Sequence, residues 1–280
     1  MTSADAEAWP APAKLNLFIH VLGRREDGFH DIQTLFQFLE AGDRLYFQHR
    51  DDGRIRLDAG DIALAEEENL VLRAARMLQE HSGSPNGADI RLEKHLPLGS
   101  GLGGGSSDAA TTLHALNRLW DLDLSVEELA ALGLELGADV PVFIHGRAAW
   151  GEGLGERLEP ADPPEPWYVI ITPPCRVSTA AMYQDEDLRR DSERIDMETF
   201  LAGRGRNDFQ PVVAARHTPV SEALRWLASF GEARLTGTGA CVYLAVDSRQ
   251  AGERILERLP ADWRGFVTRG RNRSVLLDRL

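Results

Sequence analysis

The first sixty residues mix apolar and polar positions with a period close to two. Residues 15–22 and 29–39 are rich in β-branched and aromatic side chains, which predicts two neighbouring strands. Residues 44–48 and 54–58 flank an Asp-Asp-Gly turn, and this arrangement predicts a second hairpin. The chain is therefore expected to begin as β-sheet.

From residue 69 onward the spacing of apolar residues changes to that of helices. Residues 69–80 place their apolar side chains on one face, which predicts an amphipathic helix that ends near Gly83. A strand is predicted at 89–93 and a helix at 108–120, where alanines and leucines share a face. A loop with four glycines in five positions joins them. Strand, glycine loop and helix in this order suit an anion-binding site.

A cluster of prolines divides the chain. Ser125 and Glu128 form a capping-box pattern for a helix at 126–136, and four prolines then fall within 160–166. The pattern beyond them predicts strands at 167–172, 233–246 and 265–269, with helices at 179–189, 196–202, 207–216, 219–229 and 248–258. The prediction is an α+β protein of two domains, residues 1–160 and 161–280, the second a two-layer sandwich packed against the first.

Composition narrows the class of function. The net charge of −13 disfavours a general nucleic-acid binder. The N-terminal residues lack a signal pattern, and no apolar run reaches the roughly 20 residues of a membrane helix, so no membrane association is predicted. The two cysteines, Cys175 and Cys241, lack metal or disulfide spacing, which suits a cytoplasmic protein. Of 31 basic residues only Lys14 and Lys94 are lysine, which hints at sites that need a compact charge.

The glycine loop is the segment with the clearest chemistry. Glycine removes side chains where a backbone approaches a phosphate, and the N-terminus of a helix adds partial positive charge. Ser106 and Ser107 could add donors or a magnesium ligand. The loop is neither a Walker loop nor a dinucleotide fingerprint. A flexible linker is the alternative, but the loop lies tightly between a strand and an alanine-rich helix. The candidate nucleotide-binding residues are Lys94, Pro97, Leu98, Gly99, Ser100, Gly101, Leu102, Gly103, Gly104, Gly105, Ser106, Ser107 and Asn69.

Several segments of this sequence resemble the GHMP kinases, the family of galactokinase, homoserine kinase and mevalonate kinase. Residues 97–110 resemble the second motif of that family, residues 11–17 the first and residues 235–242 the third. Residues 25–30 and 137–143 are similar to the branch that phosphorylates cytidine diphosphate methylerythritol. Five motifs in the right order make the resemblance specific.

The resemblance implies a fold, a reaction and partners. It implies a two-domain GHMP kinase fold, with a ribosomal-S5-like α/β domain followed by a ferredoxin-like α+β sandwich. The implied reaction transfers a phosphoryl group from ATP to the 2-hydroxyl of that cytidyl alcohol, during the synthesis of isoprenoid precursors. Mg²⁺ is expected to arrive with ATP, and no structural metal is predicted. The implied partner is this small molecule, with no nucleic acid, and the protein is expected to be a monomer or a weak homodimer.

The resemblance also implies residue roles. Asp139 orients or deprotonates the acceptor hydroxyl, and Lys14 pairs with Asp139 and with the transferring phosphoryl group. Lys94 lies beside ATP, and Asn69 shapes the adenine pocket or simply caps a helix. Asp139 could likewise be a helix cap, but an unpaired carboxylate beside an apolar run would be costly there. The implied substrate-binding residues are Asn16, Phe29, His30, Tyr183, Thr179 and Gly239.

Within that set, His30 is expected to read the cytosine edge while Phe29 and Tyr183 stack on the ring. From the residues alone, His30 is better interpreted as a strand histidine, and only the resemblance reverses this; Asn16 could be a strand-edge asparagine. Three other functions compete with this one: another GHMP kinase, such as a homoserine or mevalonate kinase; a non-catalytic nucleotide-binding regulator; and an RNA-binding module. The pair Phe29-His30, the presence of both Lys14 and Asp139, and the acidic net charge argue against them in turn.

Overall fold

Two long antiparallel strands form the centre of the N-terminal half. The computed structural model describes residues 7–60 and 68–280. Its strands are β1 (Trp9–Arg24), β2 (His30–Arg50), β3 (Ile55–Asp58), β4 (Gly87–Glu93), β5 (Ala149–Gly153), β6 (Arg157–Pro160), β7 (Trp167–Thr172), β8 (Arg234–Leu235), β9 (Val242–Val246) and β10 (Arg264–Arg271). Its α-helices are α1 (Leu70–Ser82), α2 (Gly104–Leu119), α3 (Val126–Leu136), α4 (Val140–His145), α5 (Thr179–Gln184), α6 (Met197–Thr199), α7 (Phe209–Arg216), α8 (Thr218–Ala228) and α9 (Arg249–Leu256).

Strand β2 organises the sheet, because it pairs with four other strands. It lies antiparallel to β1, β4, β5 and β10. Strand β10 also pairs with β7, so the C-terminal strands β7, β9 and β8 continue the same sheet. The main path through the described strands runs β3-β4-β2-β10-β7-β9-β8. The last long strand of the chain therefore joins the two halves.

The hairpin predicted from residues 44–48 and 54–58 is wrong. Strand β4 lies between β2 and β3, antiparallel to the former and parallel to the latter. A parallel pair needs a crossover, and α1 supplies it between β3 and β4. Ala88, Ile90 and Leu92 of β4 are buried, so the apolar strand takes the inner position and leaves the half-exposed β3 at the edge.

Other elements also differ from the prediction. Helix α2 begins at Gly104, four residues before the predicted start, so part of the glycine loop is helical. The predicted helix at 179–189 ends at Gln184. Helix α4 and the β5–β6 hairpin were not predicted. The strands and helices at 69–93, 126–136, 167–172, 219–229 and 248–269 lie close to their predicted positions, whereas the strand predicted at 233–246 is divided into β8 and β9 by the loop at 236–241.

The apolar residues gather into two cores and a layer between them. Helices α1 to α4 pack on one face of the N-terminal strands, and α5 and α7 to α9 cover β7 and β9. Leu15, Leu35 and Tyr243 belong to the layer between the cores. There the hydroxyl of the buried Tyr168 donates to Oε1 of Gln37 at 2.7 Å, which satisfies both groups. Each fully buried large apolar side chain stabilises the fold by roughly 1.5–3 kcal/mol.

Candidate active site

A cavity of about 830 Å³ opens where β1, the glycine loop and the start of α5 meet. Most of the predicted site residues line it. They are Lys14, Asn16, Asn69, Lys94, Pro97, Leu98, Gly99, Ser100, Gly101, Gly103, Gly104, Gly105, Ser106, Asp139, Thr179 and Tyr183. Residues as far apart in the sequence as Lys14 and Thr238 thus surround one space, which has the size of a small-molecule site.

The glycine loop presents backbone donors to this cavity. Gly99, Gly101 and Gly103 have positive φ values of 61°, 79° and 72°, which other residues adopt only with strain. Gly103 is the N-cap of α2, and the first helical hydrogen bond runs from the N–H of Ser107 to its carbonyl at 2.9 Å. The N–H groups of the three residues between, 104–106, therefore have no partner within the helix and carry its partial positive charge.

A second loop packs against the first at Gly101. A β-carbon on Gly101 would lie 2.3 Å from the carbonyl oxygen of Thr236, and one on Gly237 would lie 3.0 Å from the Cα of Gly101. The N–H of Cys241 donates to the carbonyl of Ser100 at 3.0 Å. Glycine is thus needed in both motifs, because the two backbones meet here without room for side chains.

Lys14 and Asp139 form an ion pair inside the cavity. Their Nζ and Oδ2 atoms lie 3.1 Å apart, with the lysine side chain 4% exposed and the aspartate 33%. The Lys14 ammonium also donates to Oδ1 of Asn16, and its backbone N–H donates to the carbonyl of Leu102 at 2.9 Å. A register shift between residues 12 and 14 of β1 accompanies this bond.

Asp139 lies at the N-cap position of α4, yet its side chain makes no capping hydrogen bond. Pro141 stands in the first turn, where its missing N–H costs nothing. A β-carbon on Gly133 of α3 would lie 2.7 Å from Val140, so the two helices approach closely beside this residue. The packing of α3 on α4 thus holds the carboxylate at the cavity, where it meets Lys14 instead of a backbone N–H.

Lys94 has two carboxylate partners beneath the glycine loop. Its Nζ donates to Oδ2 of Asp43 and, at 2.8 Å, to Oδ2 of Asp108. Oδ1 of Asp43 accepts from the backbone N–H groups of His95 and Leu96, at 2.6 and 2.8 Å. Burial lowers the pKa of Lys94, but the charges of Asp108 and Asp43 outweigh it and raise the pKa overall. The cluster ties β2 to the loop and to the first turn of α2.

Burial raises the pKa of Asp108 to about 7; the charge of Lys94 opposes this shift and that of Asp43 adds to it. Oδ1 of Asp108 is buried and has no hydrogen-bond partner within the described ranges. One ammonium group therefore serves two buried carboxylates, of which Asp43 is the better satisfied.

The residues expected to bind the base are only partly at the cavity surface. The rings of His30 and Tyr183 pack together, with centroids 5.1 Å apart and planes inclined by 31°. His30 is 7% exposed and Phe29 is 60% exposed at the end of the β1–β2 turn. Tyr183 lines the cavity, His30 is linked to it through its contact with Tyr183, and Phe29 does not line it. Burial raises the pKa of Tyr183, and the nearby Asp139 charge raises it further.

Other predicted residues take simpler positions. Asn69 is the N-cap of α1, since its Oδ1 accepts from the N–H of Val71 at 2.9 Å, and it also lines the cavity. The hydroxyls of Thr179 and Thr238 are hydrogen-bonded at 2.8 Å. Asn16 donates to Oγ1 of Thr34 at 2.9 Å. Each of these residues therefore has a structural partner as well as a place at the site.

Three predicted residues lie behind the cavity surface. Leu102 is fully buried in the layer between the cores, and Gly239 is held by a hydrogen bond from its N–H to the carbonyl of Thr236 at 3.0 Å. Ser107 departs from the prediction of an anion donor: its side chain is fully buried and its N–H is part of α2. The helix begins earlier than predicted, so Ser106 takes the position at the cavity.

Three residues that act through these groups were not predicted from the sequence. Asp43 was not predicted, because its partners are 51 to 65 positions away along the chain. Asn207 is buried and its Nδ2 donates to the carbonyls of Leu235 and Gly237 at 2.9 and 2.8 Å, which fixes the third motif. Arg190 contacts His30. None of the three belongs to a local motif that could have identified it.

The cavity side chains could bind Mg²⁺ only together with substrate phosphates. Within the described ranges, no group of three His, Cys, Asp or Glu side chains is placed to hold a metal ion. Mg²⁺ usually combines one or two protein oxygens with substrate phosphates and water. Ser106 and Asp139 both line the cavity and offer a hydroxyl and a carboxylate.

No helix in the described part of the chain is long and apolar enough to cross a membrane.

Comparison with protein families defines the class. Residues 69–147 match the GHMP kinases N terminal domain and residues 188–265 match the GHMP kinases C terminal domain. The crystal structure of the Methanococcus jannaschii mevalonate kinase shares the fold, with a TM-score of 0.68, 17% identity and coverage of 97% of this chain and 100% of that one. The protein is an ATP-dependent small-molecule kinase with the predicted α+β GHMP kinase fold.

More similar relatives narrow the class to one family. The 4-diphosphocytidyl-2-C-methyl-D-erythritol kinase of Alkalilimnicola ehrlichii is 54% identical over 97% of this chain and 94% of its own length. That of Shewanella loihica is 52% identical over 100% and 99%. A crystal structure of 4-(cytidine 5'-diphospho)-2C-methyl-D-erythritol kinase matches with a TM-score of 0.82 and 33% identity, covering 94% of this chain and 99% of that one. The chain belongs to the family of 4-diphosphocytidyl-2-C-methyl-D-erythritol kinases.

Proposed function

We propose that this protein transfers the γ-phosphoryl group of ATP to the 2-hydroxyl of 4-diphosphocytidyl-2-C-methyl-D-erythritol. The observation that carries the proposal is the ion pair between Lys14 and Asp139, 3.1 Å long, in a cavity that the glycine loop also lines. Phosphoryl transfer depends on positioning and on neutralising charge, and these two side chains supply both. The relatives named for this activity support the choice of acceptor.

Asp139 orients the acceptor. Its carboxylate is one-third exposed, so one oxygen can accept a hydrogen bond from the acceptor hydroxyl while Oδ2 stays near Lys14. The hydroxyl oxygen attacks the γ-phosphorus, the bond to the β–γ bridging oxygen breaks, and ADP leaves. The hydroxyl proton departs along the hydrogen bond to Asp139.

Lys14 neutralises charge on both sides of the reaction. An ammonium group has three donors, and Asn16 and Asp139 take two of them. The third is available to a γ-phosphoryl oxygen, where negative charge must be balanced during transfer. Because Lys14 is almost completely buried, its charge is weakly screened by water.

The glycine loop holds the ATP phosphates. The N–H groups of residues 104–106 at the start of α2 are donors without helical partners, and the helix dipole favours an anion there. Mg²⁺, bound through ATP with Ser106 or Asp139 as a protein ligand, would neutralise phosphate charge. Asn69 and Lys94 belong to the nucleotide end, with the adenine pocket near the start of α1.

The other end of the cavity binds the cytidyl alcohol. Tyr183 and Phe29 stack on the cytosine and His30 reads its edge, while Asn16, Thr179 and the Gly239 loop contact the methylerythritol phosphate side. We further propose a cytoplasmic monomer or weak homodimer that needs no nucleic acid, with a domain boundary between residues 160 and 161. The proline-rich connection between β6 and β7 lies at that point.

The test measures ADP release with ATP, Mg²⁺ and the cytidyl alcohol, with homoserine and mevalonate as rival acceptors. Wild type is compared with Asp139→Asn and with Asp262→Asn, a matched change at an exposed aspartate away from the site. We expect turnover of the cytidyl alcohol alone, reduced about 10²–10⁴-fold by Asp139→Asn and unchanged by Asp262→Asn. Turnover of homoserine or mevalonate would show that the proposed acceptor is wrong. ATP binding without turnover of any acceptor would favour a non-catalytic nucleotide-binding regulator.

A further inference from the structure

Arg190 is fixed by the backbone behind the base-binding end of the cavity. Its Nη2 donates to the carbonyls of Tyr183 and Asp185 at 3.0 and 2.7 Å, and its Nη1 donates to that of Leu188 at 3.1 Å. Its Nε donates to Nε2 of His30, also at 3.1 Å. Three bonds to one stretch of backbone hold the guanidinium, so the direction of the fourth bond is fixed as well.

This fourth bond determines where the proton of His30 lies. A guanidinium group has donors and no acceptor, and it stays charged at every relevant pH. Nε2 of His30 must therefore be an acceptor, which places the proton of the neutral imidazole on Nδ1. Burial lowers the pKa of His30, and the charges of Arg190 and Arg24 lower it further. The ring is thus held neutral, in one of its two tautomers.

Nδ1 of His30 faces no protein partner. Within residues 7–60 and 68–280 no group hydrogen-bonds to it, and it is not among the buried polar atoms left without a partner. It is therefore open to a ligand. The ring itself packs on Tyr183, which lines the cavity, and the preceding residue, Phe29, is 60% exposed. A donor of fixed position thus stands beside the ring of Tyr183 and next in the chain to the exposed Phe29, and aromatic side chains suit a planar base.

We propose that Arg190 is a positioning residue for base selection, which fixes the His30 tautomer so that Nδ1–H donates to N3 of cytosine and disfavours uracil. This role rests on the proposed function. N3 of cytosine is a hydrogen-bond acceptor, whereas N3 of uracil carries a hydrogen. A fixed donor pairs with the first and opposes the second. With the other tautomer, Nδ1 would be an acceptor and the preference would reverse.

The kinetic test compares the cytidyl alcohol with its uridyl counterpart as acceptors. Arg190→Met removes the donors and keeps the apolar stem. Arg189→Met is the matched control, because Arg189 is exposed and, among the described residues, its ion-pair partner is Asp191 at the surface. In Arg190→Met we expect KM for the cytidyl alcohol to rise at least about tenfold with kcat nearly unchanged, and the preference for cytosine over uracil to fall at least about tenfold. The control should match wild type in both.

A second measurement reads the tautomer directly. In ¹⁵N NMR spectra of the native protein, with His30 assigned by comparison with His30→Gln, we expect the proton of the neutral ring on Nδ1 between pH 6 and 8. In Arg190→Met we expect a mixture of tautomers and a pKa closer to the ordinary value, with kcat/KM for the cytidyl alcohol falling on the acid side. Since wild type is measured as it exists, this test stands even if the variant does not fold.

The outcomes separate the two proposals. Cytidyl turnover by wild type with an unchanged base preference in a folded Arg190→Met protein would overturn the role of Arg190 and leave the kinase reaction intact. A proton on Nε2 of His30 in wild type would do the same. Absence of turnover with the cytidyl alcohol in wild type would overturn the proposed function, and base selection with it.

Discussion

The surroundings of Lys14 and Lys94, the two lysines of the chain, show how the same side chain can serve chemistry or architecture. Lys14 pairs with Asp139, whose side chain is 33% exposed to the cavity. Lys94 pairs with Asp43 and Asp108, whose side chains are 0% and 4% exposed. The first lysine keeps a third donor for a ligand at the cavity, whereas the charge of the second is already balanced inside the fold.

The largest effect on activity is expected from substitution of Lys14. Lys14→Met removes the charge opposite the transferring phosphoryl group, so we expect kcat to fall at least about 10³-fold. Stability should fall by only about 1–2 kcal/mol, because Asn16 loses one hydrogen bond and Asp139, which loses its ion pair, is one-third exposed and stays hydrated. Kinetics together with urea unfolding check both. A kcat within tenfold of wild type would contradict the role proposed for Lys14.

Substitution of Lys94 should instead affect stability more than catalysis. Lys94→Met leaves two buried carboxylates without their cation, and such a loss costs about 3–5 kcal/mol of unfolding free energy. KM for ATP should rise as well, because the loop before α2 is tied down by this cluster. The check is urea unfolding beside ATP titration. A stable Lys94→Met protein that has lost only ATP affinity would instead place the ammonium on the nucleotide itself.

The pH dependence of stability sharpens the contrast. Burial raises the pKa of Asp108 to about 7 from the ordinary value of 3.8, so between these values the folded protein binds more protons than the unfolded chain. The stability due to this group is therefore complete below pH 3.8 and is lost as pH rises through 7, by at most about 1.4 kcal/mol per pH unit.

Asp108→Asn removes that titration and keeps an acceptor for Lys94. We expect the difference in unfolding free energy between wild type and variant to shift in favour of the variant as pH rises from 5 to 8, in urea melts at each pH. Other titrating groups cancel in the difference. A difference that stays constant across this range would show that Asp108 is already ionised at pH 5.

The two lysines also show which site contacts could be predicted from the sequence and which could not. Lys14, Asp139 and the glycine loop belong to motifs, and from these the family resemblance located the candidate site. The partners of Lys94 were not identified from any motif: Asp43 lies within β2 and meets the lysine only because β4 pairs beside it. The same pairing overturned the predicted hairpin.

Non-local contacts account for most of what the sequence did not reveal. Local periodicity located α1, α3 and β7, since their apolar faces and caps are continuous in the chain. It could not show that β4 would separate β2 from β3, because nothing within either strand encodes its neighbour. Nor could it pair Arg190 with His30, whose hydrogen bond joins residues 160 positions apart.

Asn69 offers the smallest test, at a residue that has both kinds of role. It caps α1 through the N–H of Val71 and also lines the cavity. Asn69→Ala should lower the unfolding free energy by about 1 kcal/mol, whereas Asn69→Ser keeps a capping oxygen and should stay close to wild type. If the amide also shapes the adenine pocket, both variants should raise KM for ATP a few-fold. Stability would then follow the cap while ATP affinity follows the amide, and a wild-type KM in Asn69→Ser would leave Asn69 with the architectural role alone.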